Sequence, residues 1–355
     1  MIKVAQFMKA HGMDSERVDL NEYTKVFAES MRAGLRGDAD AMPMIPTYLS
    51  PSGKLPRGEK AVVIDAGGTN FRTAVISFDT KGAVIEQQNT LPMPGAQEPV
   101  TWDEFISKVA DAVLPLMAQA KDIGFCFSYP IEITPERDGR VLGLTKQVKI
   151  EDAVGKLLGA DLKRALLERG CETGKIVVLN DTPATLLAGK VLTKGAYGSH
   201  LGLVAGTGSN TCCELRCTDI PKLGDHMRGS MLINLESGSF SGFPRGDFDI
   251  AMDADLPDTG EYTAEKMISG RYLGQLCMYT LKGAAAEGLF SENASAIIGK
   301  MTEVVTPTID KWGSGRFPKG FSSEDRVNLV YIINELFERS ARCIACKLCG
   351  ILEVT

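Results

Sequence analysis

The sequence has 355 residues, 44% hydrophobic and 24% charged, a balance typical of a globular protein with room for one large or two ordinary domains. Its 39 basic and 45 acidic residues give a net charge of −6, which argues against nucleic acid or an anionic membrane surface as a partner. No apolar run approaches the roughly 18 residues of a membrane span. The N-terminal MIKVAQFMKAHGMDSERVDL is too charged for a signal peptide, and nine scattered cysteines point to a reducing, cytoplasmic compartment.

Residues 1–40 have the periodicity of amphipathic helices, with Val18, Leu20, Val26, Phe27 and Met31 as expected core contacts. A proline-rich connector, MPMIPTYLSPSGKLPRGEK, precedes a β-meander over 61–90, made of AVVID, RTAVISF and AVIEQQN. WDEFISKVADAVLPLMAQA has the helical period, DIGFCFSYP is a strand stopped by Pro130, and DAVGKLLGADLKRALLERG contains a helix ending at Gly170. KIVVLND is a further strand, and TPATLLAGKVL starts a helix. HLGLVAGTGSNTCCELR then repeats the strand–turn–strand design of VVIDAGGTNFRTAVISF, a weak internal repeat that implies two similar α/β halves. MLINLESGSF is expected as strand and loop, AEKMISGRYLGQLCMYTLKGAAAEG as one long helix, and the rest as mostly helical.

The two turns carry the chemistry. Gly67 and Gly68 with Thr69 and Asn70, and Gly206-Thr207-Gly208 with Ser209 and Asn210, combine side-chain-free backbone with hydroxyl donors, which is what a phosphate needs. Neither is a P-loop, which ends in Gly-Lys-Ser/Thr, nor a dinucleotide fingerprint, which opens onto a helix. A single glycine hairpin is also explained by tight-turn geometry alone. Asp65, at the end of the first strand, is either a turn former or a carboxylate aimed at water-coordinated magnesium. Asp181 is either a helix N-cap or a general base at the carboxyl end of a strand, where open α/β sheets bind ligands. His11, His200 and His226 lie outside these motifs and are read as surface or structural residues.

Taken together, these residues resemble the hexokinase family of the actin-like ATPase superfamily. DAGGTNFR resembles its first phosphate motif, GFCFSYP and LTKQV its sugar segments, LNDT its catalytic segment, and VAGTGSN its second phosphate motif. INLESGSF and AEKMISGRYLGQL resemble the remaining sugar-binding pieces, and the motifs run in family order. The resemblance implies a two-lobed α/β actin-like ATPase (ribonuclease H-like) sugar kinase fold with a cleft between two domains. The small domain would be 61–185, and the large domain 1–60 with 186–355.

The implied activity is ATP- and Mg2+-dependent phosphorylation of a hexose, glucose first, at its 6-hydroxyl, with lobe closure around sugar and nucleotide. Asp181 would be the general base and Lys146 would offset charge near the phosphate. Ser128, Thr145, Lys146, Asn180, Asp181, Asn210, Glu236 and Glu265 would meet the sugar hydroxyls, where paired donors and acceptors discriminate stereoisomers. Gly67, Gly68, Thr69, Asn70 and Arg72 would face the nucleotide phosphates, with Gly206, Thr207 and Gly208 opposite and Asp65 holding magnesium through water. A sugar-binding regulator with weak or no phosphotransfer is the alternative.

The sequence departs from the family pattern at Leu144, where Trp is usual, at Gln147 and Val148 in place of Gly-Phe, and at Tyr129 in place of Phe. ERSARCIACKLCGILEV resembles the helix that precedes the family's adenosine motif, and the resemblance implies that the adenosine-binding part falls outside these 355 residues. Cys343, Cys346 and Cys349 recur at helical spacing and are expected to pack in the core, as are Cys212, Cys213 and Cys217.

Overall fold

The computed structural model describes residues 2–50, 58–68, 70–79, 82–144, 148–193, 197–224 and 227–355. The chain forms two compact units, one of 1–43, 203–211 and 235–355, the other of 44–202 and 212–234. The expected small domain, 61–185, lies within the second unit, which also takes in 44–60, 186–202 and 212–234.

The second unit is built on a five-stranded sheet. The meander expected over 61–90 is present as Lys60–Ala66, Asn70–Phe78 and Ala83–Pro92, paired antiparallel in succession. Ile123–Phe127 joins the other side of Lys60–Ala66 in parallel, and Ile176–Leu179 joins Ile123–Phe127 in parallel. β-Branched and apolar residues alternate in and out along the first strands, so Val62, Ile64, Ala66, Phe71 and Val75 enter one core. Trp102–Val113 begins with a Thr101/Glu104 capping box and buries Trp102, Phe105, Ile106, Val109, Ala110 and Val113 on one stripe. Leu158–Glu168 adds Leu162 and Leu166 to that core, and Trp102 Nε1 donates to Asp161 Oδ2 at 2.8 Å. Elsewhere in this unit Cys212–Arg216 pairs antiparallel with Ser230–Asn234, which pairs with Ile45–Pro46.

The first unit is mostly helical around the 32-residue helix Ser323–Val354. Leu20–Arg36 packs against it closely: a Cβ on Gly350 would lie 3.0 Å from the Thr24 carbonyl oxygen. Phe27 and Met31 are buried as expected, as is Val18, but Leu20 and Val26 are 43% and 39% exposed. The buried stripe runs through Thr24, Phe27, Ala28, Met31 and Leu35, so Val26 falls off it and Leu20 sits at the open first turn. The single helix expected from Ala264 onward is two, Thr263–Ile268 and Leu273–Ala286. Cys343 and Cys346 are buried, whereas Cys349 is exposed. Cys212, Cys213 and Cys217 are all buried. No helix among the described residues is long and apolar enough to cross a membrane.

Candidate functional site

In the second unit, register decides which residues meet. Lys60–Ala66, Ile123–Phe127 and Ile176–Leu179 run in the same direction, with Asp65 and Leu179 both opposite Cys126. Their carboxyl ends therefore share one edge, where Asp65, Ser128, Asn180 and Asp181 stand side by side. Ser128 is half-buried, and its backbone N–H donates to the Ala66 carbonyl at 3.2 Å, locking the two strand ends together.

Asn180, 8% exposed, accepts the Thr182 N–H with its side-chain oxygen at 3.1 Å. Asn180 thus satisfies the start of helix Asp181–Thr193, a duty that sequence reasoning offered to Asp181. The Asp181 carboxylate stays half-buried in the first helical turn and accepts the Thr182 hydroxyl at 3.1 Å.

The first glycine turn is closed by Gly67 N–H donating to the Asn70 carbonyl at 3.1 Å. Arg72 stands directly across the strand pair from Asp65 and donates to its Oδ2 at 2.9 Å, with both side chains 43% exposed. Tyr129, which sequence reasoning noted only as a departure, donates its hydroxyl to the Gly67 carbonyl at 2.8 Å. Thr69, Thr145 and Lys146 lie outside the described residues, as do Gln147 and His226.

In the first unit, the second turn is closed by Gly206 N–H donating to the Gly208 carbonyl at 2.9 Å, and its tip, Ala205 to Thr207, is exposed. Gly270 N–H donates to the Gly206 carbonyl at 2.7 Å. That contact explains the broken helix: the chain leaves helical geometry at Ser269 so that Gly270 can seat against the turn. A Cβ at Gly270 would lie 3.0 Å from the same oxygen.

Glu265 is threaded between two glycines. Its Oε2 accepts the Ser209 N–H at 2.9 Å, and it would lie 2.7 Å from a Cβ on Gly208 and 3.4 Å from one on Gly238. Asn210 accepts the N–H groups of Thr211 and Ser237 at 2.7 and 3.1 Å, which leaves its amide nitrogen as the donor end. Glu236 adopts φ 54°, a left-handed conformation that turns the chain sharply between the strand and Ser237–Ser239. Among the described residues the buried Ser237 hydroxyl has no hydrogen-bond partner.

Two family models, both described as hexokinase, match residues 3–191 and 200–355. The chain belongs to the hexokinase family. It is 28% identical to hexokinase-1 of Oryza sativa subsp. japonica over 394 aligned positions, covering 99% of this chain and 76% of that protein. It is 30% identical to hexokinase-2 of Solanum tuberosum, over 77% of this chain and 58% of the relative. Hexokinase-1 of Schizosaccharomyces pombe is also 30% identical, over 72% and 56%. The chain thus spans under two thirds of the length of several of its hexokinase relatives. A hexokinase from Schistosoma mansoni complexed with glucose matches with a TM-score of 0.76 at 22% identity, over 99% of this chain and 86% of that one. The fold is accordingly the two-domain actin-like fold of hexokinases, as the motifs implied.

The donor sets suit the ligands of a hexokinase. Among the described residues no atom outside its chain neighbours lies within 4 Å of where a Gly206 Cβ would be, and at Gly67 the nearest is the Asn70 carbonyl at 3.5 Å, which leaves room for a phosphate beside both glycines. Among the described residues there is no cluster of three or more His, Cys, Asp or Glu able to hold a metal. A magnesium ion at Asp65 would take its remaining ligands from phosphate oxygens and water, its usual habit.

Proposed function

We propose that this chain catalyses ATP-dependent phosphorylation of a hexose at the 6-hydroxyl, with glucose the first candidate. The observation that carries the reading is the shared carboxyl edge of Asp65, Ser128, Asn180 and Asp181 in a chain of the hexokinase family. Bound Mg-ATP supplies the γ-phosphoryl group.

Asp181 takes the proton of the 6-hydroxyl as the new oxygen–phosphorus bond forms and the bond from the γ-phosphorus to the bridging oxygen breaks, releasing ADP. Its half-buried place in the first helical turn, beside the capping Asn180, supports that role. Ser128 and Asn180 in the second unit, and Asn210, Glu236 and Glu265 in the first, would bind the sugar hydroxyls. Thr145 and Lys146 keep the sugar-binding and charge-offsetting roles that the family resemblance assigns.

Gly67, Gly68, Thr69, Asn70 and Arg72 would meet phosphate oxygens, as would Gly206, Thr207 and Gly208. Asp65 would anchor magnesium through water. Closure of a small lobe, 61–185, against the rest, which excludes water from the transfer, belongs to the same reading and rests on the family resemblance. A cytoplasmic setting is part of the proposal too, and its support is the nine scattered cysteines.

The test is a coupled assay of hexose-dependent ADP formation by the 355-residue chain, scanned over glucose, fructose, mannose and N-acetylglucosamine. Turnover on at least one sugar is expected, with Asp181→Ala lowering kcat by about 10² to 10⁴. Sugar binding without turnover, indifferent to Asp181→Ala, would replace the kinase by a sugar-binding regulator.

A further inference from the structure

A buried lysine lies behind the second glycine turn and takes no part in the chemistry described above. Lys347, in the long closing helix, has 0% exposure. Its Nζ donates to Ser209 Oγ at 3.3 Å. Ser209 is itself 2% exposed, and its backbone N–H is the one that holds Glu265 Oε2 at 2.9 Å. An ammonium on the closing helix is thus linked through one serine to the carboxylate expected to meet the sugar. Two turns earlier, on the same face, Ser340 Oγ donates to the Ile268 carbonyl at 3.1 Å, so the closing helix also grips the end of the short helix that carries Glu265.

Such a lysine is hard to account for as packing. Removing an ammonium from water is costly unless a paired charge compensates it, and a methionine would fill the same space without that penalty. Among the described residues its hydrogen-bond partner is a neutral hydroxyl. Burial pushes the Lys347 ammonium down to about 8, with the fields of Cys343 on its own helix and Glu265 on the short helix opposing. The Glu265 side chain passes close to Gly208 and Gly238, so a Cβ at Gly208 would lie 2.7 Å from its Oε2 and one at Gly238 3.4 Å from it.

We propose that Lys347 is a positioning residue of the hexose site, its ammonium holding Ser209 and through it the Glu265 carboxylate in the orientation that receives the sugar. This rests on the hexose kinase reading and deepens it by assigning a group that touches neither sugar nor phosphate. Its signature is selective. The affinity for the sugar depends on Lys347, whereas the affinity for ATP does not.

The experiment compares the unmodified 355-residue chain with Lys347→Met and Ser209→Ala, measuring KM for hexose, KM for ATP and kcat, together with hexose affinity by calorimetry. Lys347→Met is expected to raise the hexose KM and Kd about tenfold, the scale of one charge-assisted hydrogen bond, with the ATP KM changed less than about twofold. Ser209→Ala should reproduce much of that loss. In the unmodified chain the hexose KM should climb as pH passes through about 8, where Lys347 loses its proton, and this climb should be absent in Lys347→Met.

Equal losses for hexose and ATP, or a hexose KM unchanged in Lys347→Met, would overturn the assignment while leaving the kinase reading intact. If Lys347→Met does not fold, Ser209→Ala and the pH profile of the unmodified chain decide, and an unchanged hexose KM in both overturns it. An unmodified chain that neither binds nor turns over any hexose removes the kinase reading and this proposal together.

Discussion

The Tyr129 hydroxyl donates to the carbonyl oxygen of Gly67 at 2.8 Å. It couples the residue beside Ser128 to the first glycine turn, across 62 positions of sequence. Burial raises the phenol well above its ordinary range, so it remains a donor at any working pH. Its ring meanwhile packs against Phe127 at 4.8 Å between centroids. Tyr129→Phe keeps that ring and deletes the part-buried hydrogen bond to the Gly67 carbonyl. A loss of about 1 kcal/mol in urea unfolding is expected, with a higher KM for ATP because the turn is released. Unchanged stability and unchanged KM would show that the bond contributes nothing.

Asp65 and Arg72 form a cross-strand ion pair, both side chains 43% exposed, and such a pair contributes little to stability, about 0–1 kcal/mol. Asp65→Asn should therefore leave the melting temperature nearly unchanged, while raising the magnesium concentration needed for half-maximal activity and lowering kcat by roughly 10² or more. A variant with normal magnesium dependence would remove Asp65 from the metal site.

The two glycines of the second turn should respond differently to one added methyl group. At Gly208 a Cβ would stand 2.7 Å from Glu265 Oε2, the far end of a flexible side chain. Gly208→Ala is expected to displace that carboxylate and raise the hexose KM, with only a modest effect on folding. At Gly206 nothing among the described residues beyond its chain neighbours lies within 4 Å of the new Cβ. Gly206→Ala should fold normally and act on the ATP KM. Kinetics in which the two variants behave alike would argue against separate sugar and phosphate faces.

His11 lies between Asp247, 2.8 Å from Nδ1, and Glu287, 2.7 Å from Nε2. Burial works against its charge, but the hydrogen bonds and fields of the two carboxylates outweigh that and raise its pKa above 6.5. Because the folded-state value lies above the unfolded one, the charged histidine stabilises the fold fully below pH 6.5. That contribution is lost as pH rises through the elevated value. His11→Gln should lower the melting temperature near pH 6 and have a smaller effect near pH 8.5. An equal loss at both pH values would mean that protonation is not involved.

Local rules made part of this protein legible. Strands 60–66 and 70–78 around Gly67 follow from β-branched runs broken by small residues, and the helix from Trp102 follows from its apolar period. Local rules fail where only packing decides. Val26 has the composition of a core residue but lies off the buried stripe, Cys349 turns outward, and the helix after Thr263 breaks to bring Gly270 against Gly206.

By itself the sequence determined the kind of chemistry. Two glycine turns with adjoining hydroxyls, and acids at strand ends, are short-range patterns whose conformations depend on neighbouring residues. Only the tertiary structure decided that Asp65, Ser128 and Asp181 share an edge, because that depends on the direction and register of strands far apart in the chain. It also decided that Lys347 stands behind Ser209, 138 positions away. No periodicity encodes such a contact: a lysine in an amphipathic helix is read as solvent-facing until the packing of that helix shows it buried.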